Sequence, residues 1–178
     1  MPLGELMSDP QGEFVLPPSR YLAHLLFQFN ERRQARLDEA LQGIGLNGSK
    51  WRVLYGVYRL DGCTMSELAR ITGIDRTTLT RAVDRLVEDG LIIRSGSPAD
   101  RRQVILALTP VGVATFQAAQ GIHVKTFETA LEGLSDADQR VLCRAVMTML
   151  GNVVGDPALT DDILNLNVGA REASKAEV

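Results

Sequence analysis

The stretch from residue 75 to residue 102 constrains the fold of this chain more than any other. From Arg76 to Asp89, apolar residues recur at positions i, i+3, i+4 and i+7, which places them on one stripe of a helix. These residues are Leu79, Ala82, Val83 and Leu86. Asp75 is expected to cap the N-terminus of this helix, and Gly90 is expected to stop it at its C-terminus. The pattern therefore predicts a helix with one buried face and local signals at both ends.

The opposite face of this helix carries short hydroxyl groups and guanidinium groups. Its members are Thr77, Thr80, Arg81 and Asp84, with Thr78 and Arg85 at the flanks. Such groups form hydrogen bonds with base edges and with phosphates. We therefore predict that this face contacts DNA.

Flanking segments predict the motif in which the helix sits. Thr64-Met65-Ser66-Glu67 is a capping box that opens a short helix ending near Gly73. Two short helices joined by a Gly-containing turn form a helix-turn-helix. Leu91 to Ser95 and Val104 to Leu108 are short apolar runs around a charged segment, which predicts a β-hairpin and makes the motif winged. The alternative from pattern alone is an ordinary helical pair with a solvated charged face.

Several motifs together resemble the MarR family of bacterial transcriptional regulators. They are Thr64-Met65-Ser66-Glu67-Leu68-Ala69, Arg76-Thr77-Thr78-Leu79-Thr80-Arg81, Asp89-Gly90-Leu91-Ile92, and Pro98-Ala99-Asp100-Arg101-Arg102 through Leu108-Thr109-Pro110-Val111-Gly112. The resemblance covers roughly Tyr21 to Leu150 and is strongest in the winged core. It implies a homodimer, a winged helix-turn-helix in each subunit and often a small-molecule ligand that weakens operator binding.

The resemblance also assigns roles within the predicted wing. Asp100 and Arg102 match the Asp-x-Arg wing motif of the family. By this resemblance, Arg102 enters the minor groove, where narrow A·T-rich DNA concentrates negative potential. Asp100 would hold an arginine by a charge-assisted hydrogen bond, and Arg101 would contact phosphate.

The fold class we predict is mainly α with a small β-hairpin wing, in which N- and C-terminal helices form a dimerisation body. Thr109-Pro110 and Ser135 are expected to start two C-terminal helices. These helices carry more apolar residues than the winged core could cover, so a second subunit is the expected partner. The predicted segments are an extended arm at 1–18, a dimerisation helix at 19–46, the winged helix-turn-helix at 47–109, dimerisation helices at 110–155 and a polar, partly disordered tail at 156–178.

Composition agrees with a globular DNA-binding protein. The 178 residues are 45% hydrophobic and 23% charged, with a net charge of −3. Residues 50–105 carry ten Lys and Arg against seven Asp and Glu, so this segment is net positive within an acidic chain. The sequence shows no membrane span, no secretory signal and no close cysteine pair. We therefore expect a cytoplasmic protein.

A small-molecule site is predicted where the first helix, the helix containing Trp51 and the winged module meet. Arg20 and Arg52 are candidate carboxylate partners for an aromatic or other organic anion. His24, Trp51 and Tyr55 are candidate walls or hydrogen-bond donors. The alternative for each of these residues is ordinary core packing or surface exposure.

Other chemistries are set aside. Gly43 to Gly48 spells G-x-G-x-x-G, but a predicted helix precedes it and no βαβ pattern surrounds it, so we expect a turn and not a nucleotide site. His24 and His123 are isolated, and no catalytic motif or cofactor fingerprint appears, so we expect no metal site, no cofactor and no enzymatic activity. Cys63 and Cys143 are expected to be buried structural residues. Two alternatives stay open, a redox-responsive regulator using Cys63 or Cys143 and a ligand-independent architectural DNA-binding protein.

Overall fold

The computed structural model describes residues 18–96 and 103–164. Within these residues the chain forms seven helices and one two-stranded sheet. The helices are α1 (Pro18–Gln42), α2 (Gly48–Leu60), α3 (Met65–Thr72), α4 (Arg76–Glu88), α5 (Pro110–Leu131), α6 (Asp136–Val154) and α7 (Pro157–Leu164), and the strands are β1 (Ile92–Gly96) and β2 (Val104–Leu108). The predicted fold class, mainly α with a β-hairpin, is confirmed.

Side-chain caps define the starts of the helices, as the sequence predicted. The Thr64 hydroxyl accepts a hydrogen bond from the amide of Glu67. The Glu67 carboxylate in turn accepts a hydrogen bond from the amide of Thr64. Ser135 and Asp138 form the same reciprocal pair at the start of α6. The Thr109 hydroxyl accepts the amide of Gly112, next to Pro110 at the first helical position of α5. These bonds satisfy amides that have no partner inside the helix.

The hairpin differs slightly from its predicted bounds. β1 begins at Ile92 and reaches Gly96, where the sequence predicted Leu91 to Ser95. The register pairs Ile92 with Leu108 and Gly96 with Val104. Leu91 lies just before β1, and its carbonyl oxygen accepts a hydrogen bond from the amide of Thr109 at 3.1 Å in the same register, which joins the exit of α4 to the start of α5.

A third backbone segment extends the edge of the hairpin. Cys63 and Leu106 exchange two backbone hydrogen bonds, at 3.0 and 2.8 Å. The loop after α2 is thereby fixed to β2, and Cys63 is buried as expected. This bridge ties the wing to the helix-turn-helix.

One hydrophobic core unites α2, α3, α4 and the hairpin with parts of α1 and α5. It contains the predicted stripe of α4 together with Leu37, Leu41, Leu54, Leu68, Leu106 and Phe116, among other residues. Two glycines lie where neighbouring segments of this core pack too closely for a side chain. A Cβ on Gly112 would overlap the carbonyl oxygen of Leu91, and a Cβ on Gly48 would overlap the side-chain amide of Gln34. Gly48 therefore serves the packing of α2 on α1, in the run that spells G-x-G-x-x-G.

The C-terminal helices are less enclosed. No residue of α6 is buried, and Cys143, which the sequence predicted to be buried, is exposed. That prediction was wrong because α6 packs mainly on α7 and has few contacts with α1 or α5 of the same chain. Helix α7 lies within the segment that the sequence predicted as a polar tail, and it contacts α3.

Candidate DNA-binding surface

Helix α4 is oriented by its buried stripe and by its N-terminal cap. Leu79, Val83 and Leu86 are fully buried. The Asp75 carboxylate accepts the amide of Thr78 at 3.0 Å, and hydrogen bonds from Thr78 lower the pKa of Asp75. Because the buried stripe fixes the rotation of the helix, the polar residues on its other side must face solvent.

The centre of the outward face carries the residues that the sequence assigned to base contacts. Thr77, Thr80 and Arg81 are exposed. The Thr80 hydroxyl donates to the carbonyl oxygen of Arg76 at 2.8 Å, so its oxygen is left as an acceptor on the surface. No acidic side chain within residues 18–96 and 103–164 pairs with Arg81. Its guanidinium can therefore donate to an external partner.

One flank of this face joins the wing. Arg94 in β1 donates a hydrogen bond of 2.6 Å to the carboxylate of Asp84. Asp84 was predicted as a DNA contact, but the structure gives its carboxylate a partner inside the protein. The pair connects α4 to the first strand of the wing, and the assignment of Asp84 as a DNA contact stays a prediction.

The other flank faces the start of α2. Thr78 and Arg85 line a cleft of about 260 Å³ between α2 and α4, together with Asn47, Ser49, Lys50, Arg81 and Ala82. The ammonium group of Lys50 lies 2.7 Å from the carboxylate of Asp89. The cleft is therefore cationic, with one of its positive charges already paired.

Asp100, Arg101 and Arg102 lie outside the described residues. The hairpin that carries them is described up to Gly96 and again from Gln103. Their assignment as wing contacts stays a prediction.

The predicted ligand residues are only partly brought together. Trp51 stacks on His123 with ring centroids 4.1 Å apart, and Tyr55 lies beside it at 5.4 Å. Arg52 is exposed and donates to the carbonyl oxygen of Thr72 at 3.0 Å, on the side facing α3. Arg20 and His24 are exposed in the first two turns of α1, with no hydrogen bond or ring contact to Trp51 within the described residues.

Sequence reasoning missed two residues of α5 at this place. His123 packs on Trp51, and its pKa is lowered by burial and, to a smaller extent, by the charge of Arg33. Trp51 Nε1 and Gln120 Oε1 are both buried and have no hydrogen-bond partner within the described residues. The available signal was the helical period of α5, which places Gln120 and His123 beside Phe116.

Cys63 is buried, as the sequence predicted, whereas Cys143 is exposed. Burial, with a smaller contribution from the carboxylate of Glu67, raises the pKa of Cys63 to about 12. Because the thiolate is the reactive form, Cys63 is chemically protected at neutral pH. This argues against Cys63 as the sensor in a redox-responsive regulator and leaves Cys143 as the accessible thiol.

No described helix is long and apolar enough to cross a membrane.

The arrangement of α3, the turn, α4 and the hairpin defines a winged helix-turn-helix, which is a class of DNA-binding protein.

Comparison with known proteins gives the family. The MarR family model matches residues 44–103, which contain α2 to β1. The HTH-type transcriptional repressor IacR of Pseudomonas putida is 27% identical over 128 residues, covering 72% of this chain and 77% of that protein. These matches support a MarR-family winged-helix transcriptional regulator, as the motifs predicted.

Solved structures share the fold. A mutant MarR from E. coli complexed with operator DNA aligns with a TM-score of 0.67 at 25% identity, over 72% of this chain and 93% of that one. Bordetella bronchiseptica BpsR, whose DNA binding is regulated by 6-hydroxynicotinic acid, aligns with a TM-score of 0.66 at 25% identity, over 72% and 98%.

Proposed function

We propose that this chain is a homodimeric repressor that binds a pseudo-palindromic DNA site and is released by a small organic anion. The observation that carries the DNA-binding part is the exposed guanidinium of Arg81, which has no acidic partner in the part of the chain that the structure describes. It lies on a capped helix whose flank is joined to the wing by Asp84 and Arg94. The repressor role is supported by the similarity to IacR.

The proposed dimer uses apolar surface that the chain itself does not cover. Leu22, Leu25 and Phe29 on α1 are each more than 40% exposed, and Val153 on α6 is 85% exposed. A helix of 19 residues with no buried side chain gains little stability from its own propensity, so α6 needs a partner. A second copy of the chain offers matching apolar helices, and a two-fold axis makes one surface serve both subunits.

Light scattering of the purified protein tests this proposal. We expect a dimer at micromolar concentration, and we expect Val146→Glu on α6 to produce monomers because it places a charge in the apolar interface. Arg140→Glu, on another face of α6, is the matched control and should leave the dimer intact. A stable wild-type monomer that binds its operator tightly would contradict the proposal.

A dimer must present its two reading helices to half-sites about one helical turn apart. Selection from random duplexes should therefore yield an inverted repeat. We propose that Arg81 forms a bidentate hydrogen-bonded contact with guanine, with Thr77 and Thr80 at neighbouring positions. Arg81→Ala should lose about 1–3 kcal/mol of discrimination at one position of the half-site. Equal affinity and equal base preference in wild type and variant would remove Arg81 from the interface.

The ligand site we propose lies around Trp51, Tyr55 and His123. Two aromatic walls suit a planar aromatic acid, as do the buried polar atoms of Trp51 and Gln120, which have no hydrogen-bond partner among the described residues. BpsR supports a regulator controlled by such an acid. Arg20 remains a candidate carboxylate partner, and Arg52 would have to release Thr72 to act as one.

Calorimetric titration of aromatic acids with and without operator tests the coupling. A ligand that releases DNA must bind more weakly to the DNA complex, by a factor equal to its effect on DNA affinity. Coupling of about 1–3 kcal/mol is usual for such pairs of sites. Equal ligand affinity in both titrations would refute regulation by that ligand. The alternative, a ligand-independent architectural DNA-binding protein, predicts that no acid stabilises the protein against heat.

A further inference from the structure

The cleft between α2 and α4 is a second feature of the proposed DNA-binding surface. Viewed along α4, Thr78 and Arg85 lie on the flank opposite the wing, at the edge of the face that carries Thr77 and Thr80. Ser49 approaches this flank from the first turn of α2. Two separate helices thus supply hydrogen-bond donors to one concave surface.

The charges of the cleft favour a single anionic group. Asp89, an acidic residue near the cleft, is already paired with Lys50, and Asp84 on the far flank is paired with Arg94. No acidic side chain within the described residues pairs with Arg85. Its guanidinium therefore keeps a full positive charge and its hydrogen-bond donors for an external acceptor.

The α2 side of the cleft supplies matching donors. Asn47 accepts the amide of Lys50, and the amide of Gly48 donates to Asp38, so both are used within the protein. Ser49 keeps its amide and its hydroxyl, and neither has a hydrogen-bond partner within the described residues. A guanidinium opposite a hydroxyl and a free amide suits the oxygen atoms of a phosphate.

We propose that Ser49 and Arg85 together bind one phosphate of the DNA backbone beside the bases contacted by α4. This inference rests on the proposed DNA binding and adds a distinct role, because the cleft fixes the position of α4 on the duplex and carries no base preference. Arg81, at the edge of the cleft, keeps its base contact. The duplex is the proposed source of the phosphate, since the cleft lies next to the outward face of α4.

Salt-dependent binding of wild type and variants to the selected operator and to a scrambled duplex tests this assignment. Arg85→Ala should weaken both duplexes by the same factor, about tenfold for a lost charged hydrogen bond. It should also reduce the slope of log affinity against log salt by about 0.9, the value for one phosphate. Ser49→Glu should weaken both duplexes because it places a carboxylate in the cleft. Arg140→Ala, which removes the same charge from α6, should match wild type.

Operators carrying one neutral methylphosphonate linkage at each backbone position in turn locate the contact. One linkage per half-site should weaken wild-type binding but have no further effect on Arg85→Ala. Arg85→Lys keeps the charge and should retain the salt slope with reduced affinity, which separates phosphate binding from misfolding. A wild-type salt slope in Arg85→Ala, or equal sensitivity of both proteins to every linkage, would overturn the proposal.

Two further outcomes separate the explanations. If the wild-type protein shows no preference for any duplex, the proposed function is wrong, and the premise of this inference is wrong with it. If wild type binds its operator and inorganic phosphate shifts the Ser49 amide resonance equally with and without bound DNA, the cleft holds a free anion and the assignment to the backbone is wrong.

Discussion

Asp84 in the recognition helix and Arg94 in the wing are joined by a hydrogen bond of 2.6 Å between carboxylate and guanidinium. Both side chains are partly exposed, so the pair should contribute at most about 1 kcal/mol to the free energy of unfolding. Its larger effect is geometric, because it connects the two elements that would enter neighbouring grooves of one duplex.

The first prediction follows from this connection. Asp84→Asn should leave the free energy of unfolding within about 1 kcal/mol of wild type, since the lost pair is exposed. Operator affinity should fall severalfold because the wing is no longer held. Arg94→Gln should give the same loss, and the double variant should be no worse than either single one. Urea unfolding and fluorescence anisotropy measure the two quantities.

A matched control exists in the exposed pair between Arg70 and Asp162, at 2.8 Å. Asp162→Asn removes a similar ion pair without touching the wing. It should not reproduce the effect of Asp84→Asn on DNA binding. Additive losses in the double variant would show that Asp84 and Arg94 act separately.

The second prediction concerns the wing tip. Arg102→Ala should weaken binding most for operators with A·T-rich flanks, because a narrow minor groove attracts an inserted arginine. Arg101→Ala should instead weaken all duplexes alike, as expected for a phosphate contact. Binding across operators with varied flanks distinguishes the two residues. If the Arg102→Ala variant binds DNA like wild type at every salt concentration, the wing assignment is wrong.

The third prediction concerns the contact between α5 and the end of α4. Gly112→Ala should lower the free energy of unfolding by roughly 1–3 kcal/mol or more, because the new Cβ meets the backbone carbonyl of Leu91, which a side-chain rotation cannot relieve. Gly121→Ala in the same helix has open space around its Cβ and should be neutral or stabilising by up to about 1 kcal/mol. Urea unfolding of both variants measures the difference. Equal stabilities would mean that α5 shifts freely on the winged unit.

The fourth prediction is a pH dependence of stability. Burial lowers the pKa of His123 below its ordinary value of 6.5. Below about pH 6.5 the unfolded chain therefore binds a proton that the folded chain resists, so the free energy of unfolding falls as the pH decreases. Above this range the contribution is fully present. Trp51 is the single tryptophan and stacks on His123, so its fluorescence reports the transition.

Substitution of each histidine identifies the residue that causes this pH dependence of stability. His123→Gln should flatten the fall in stability below pH 6.5, and His24→Gln should retain it because His24 is exposed. An unchanged pH profile in His123→Gln would assign the proton to another group.

The fifth prediction concerns thiol reactivity. In the native protein, iodoacetamide should modify the exposed Cys143 and spare Cys63, whose pKa is raised to about 12 by burial and by Glu67. The variant Cys143→Ser should react only after denaturant is added. Mass spectrometry of labelled peptides measures both. Rapid native labelling of Cys63 would restore it as a candidate redox sensor.

The winged helix-turn-helix could be predicted from the sequence because the signals that specify it are local. Capping at Thr64 and Asp75 depends on hydrogen bonds that span three residues, and the stripe through Leu79 and Leu86 depends on the helical period. These features involve neighbours in the chain, so a pattern of residues is enough to predict them. The family resemblance rests on the same stretch.

Contacts between side chains of different helices and strands could not be predicted in this way. Asp84 is predicted to contact DNA, and its hydrogen bond with Arg94, ten residues later, could not be predicted from the pattern of α4. His123 stacks on Trp51 from a helix that begins 59 residues downstream of Trp51, and Arg52 donates a hydrogen bond to the carbonyl oxygen of Thr72. The exposure of Cys143 depends on where α6 packs, which its own amphipathic pattern leaves open. Such contacts arise from packing between distant segments, whose geometry is set by the whole core and not by local spacing.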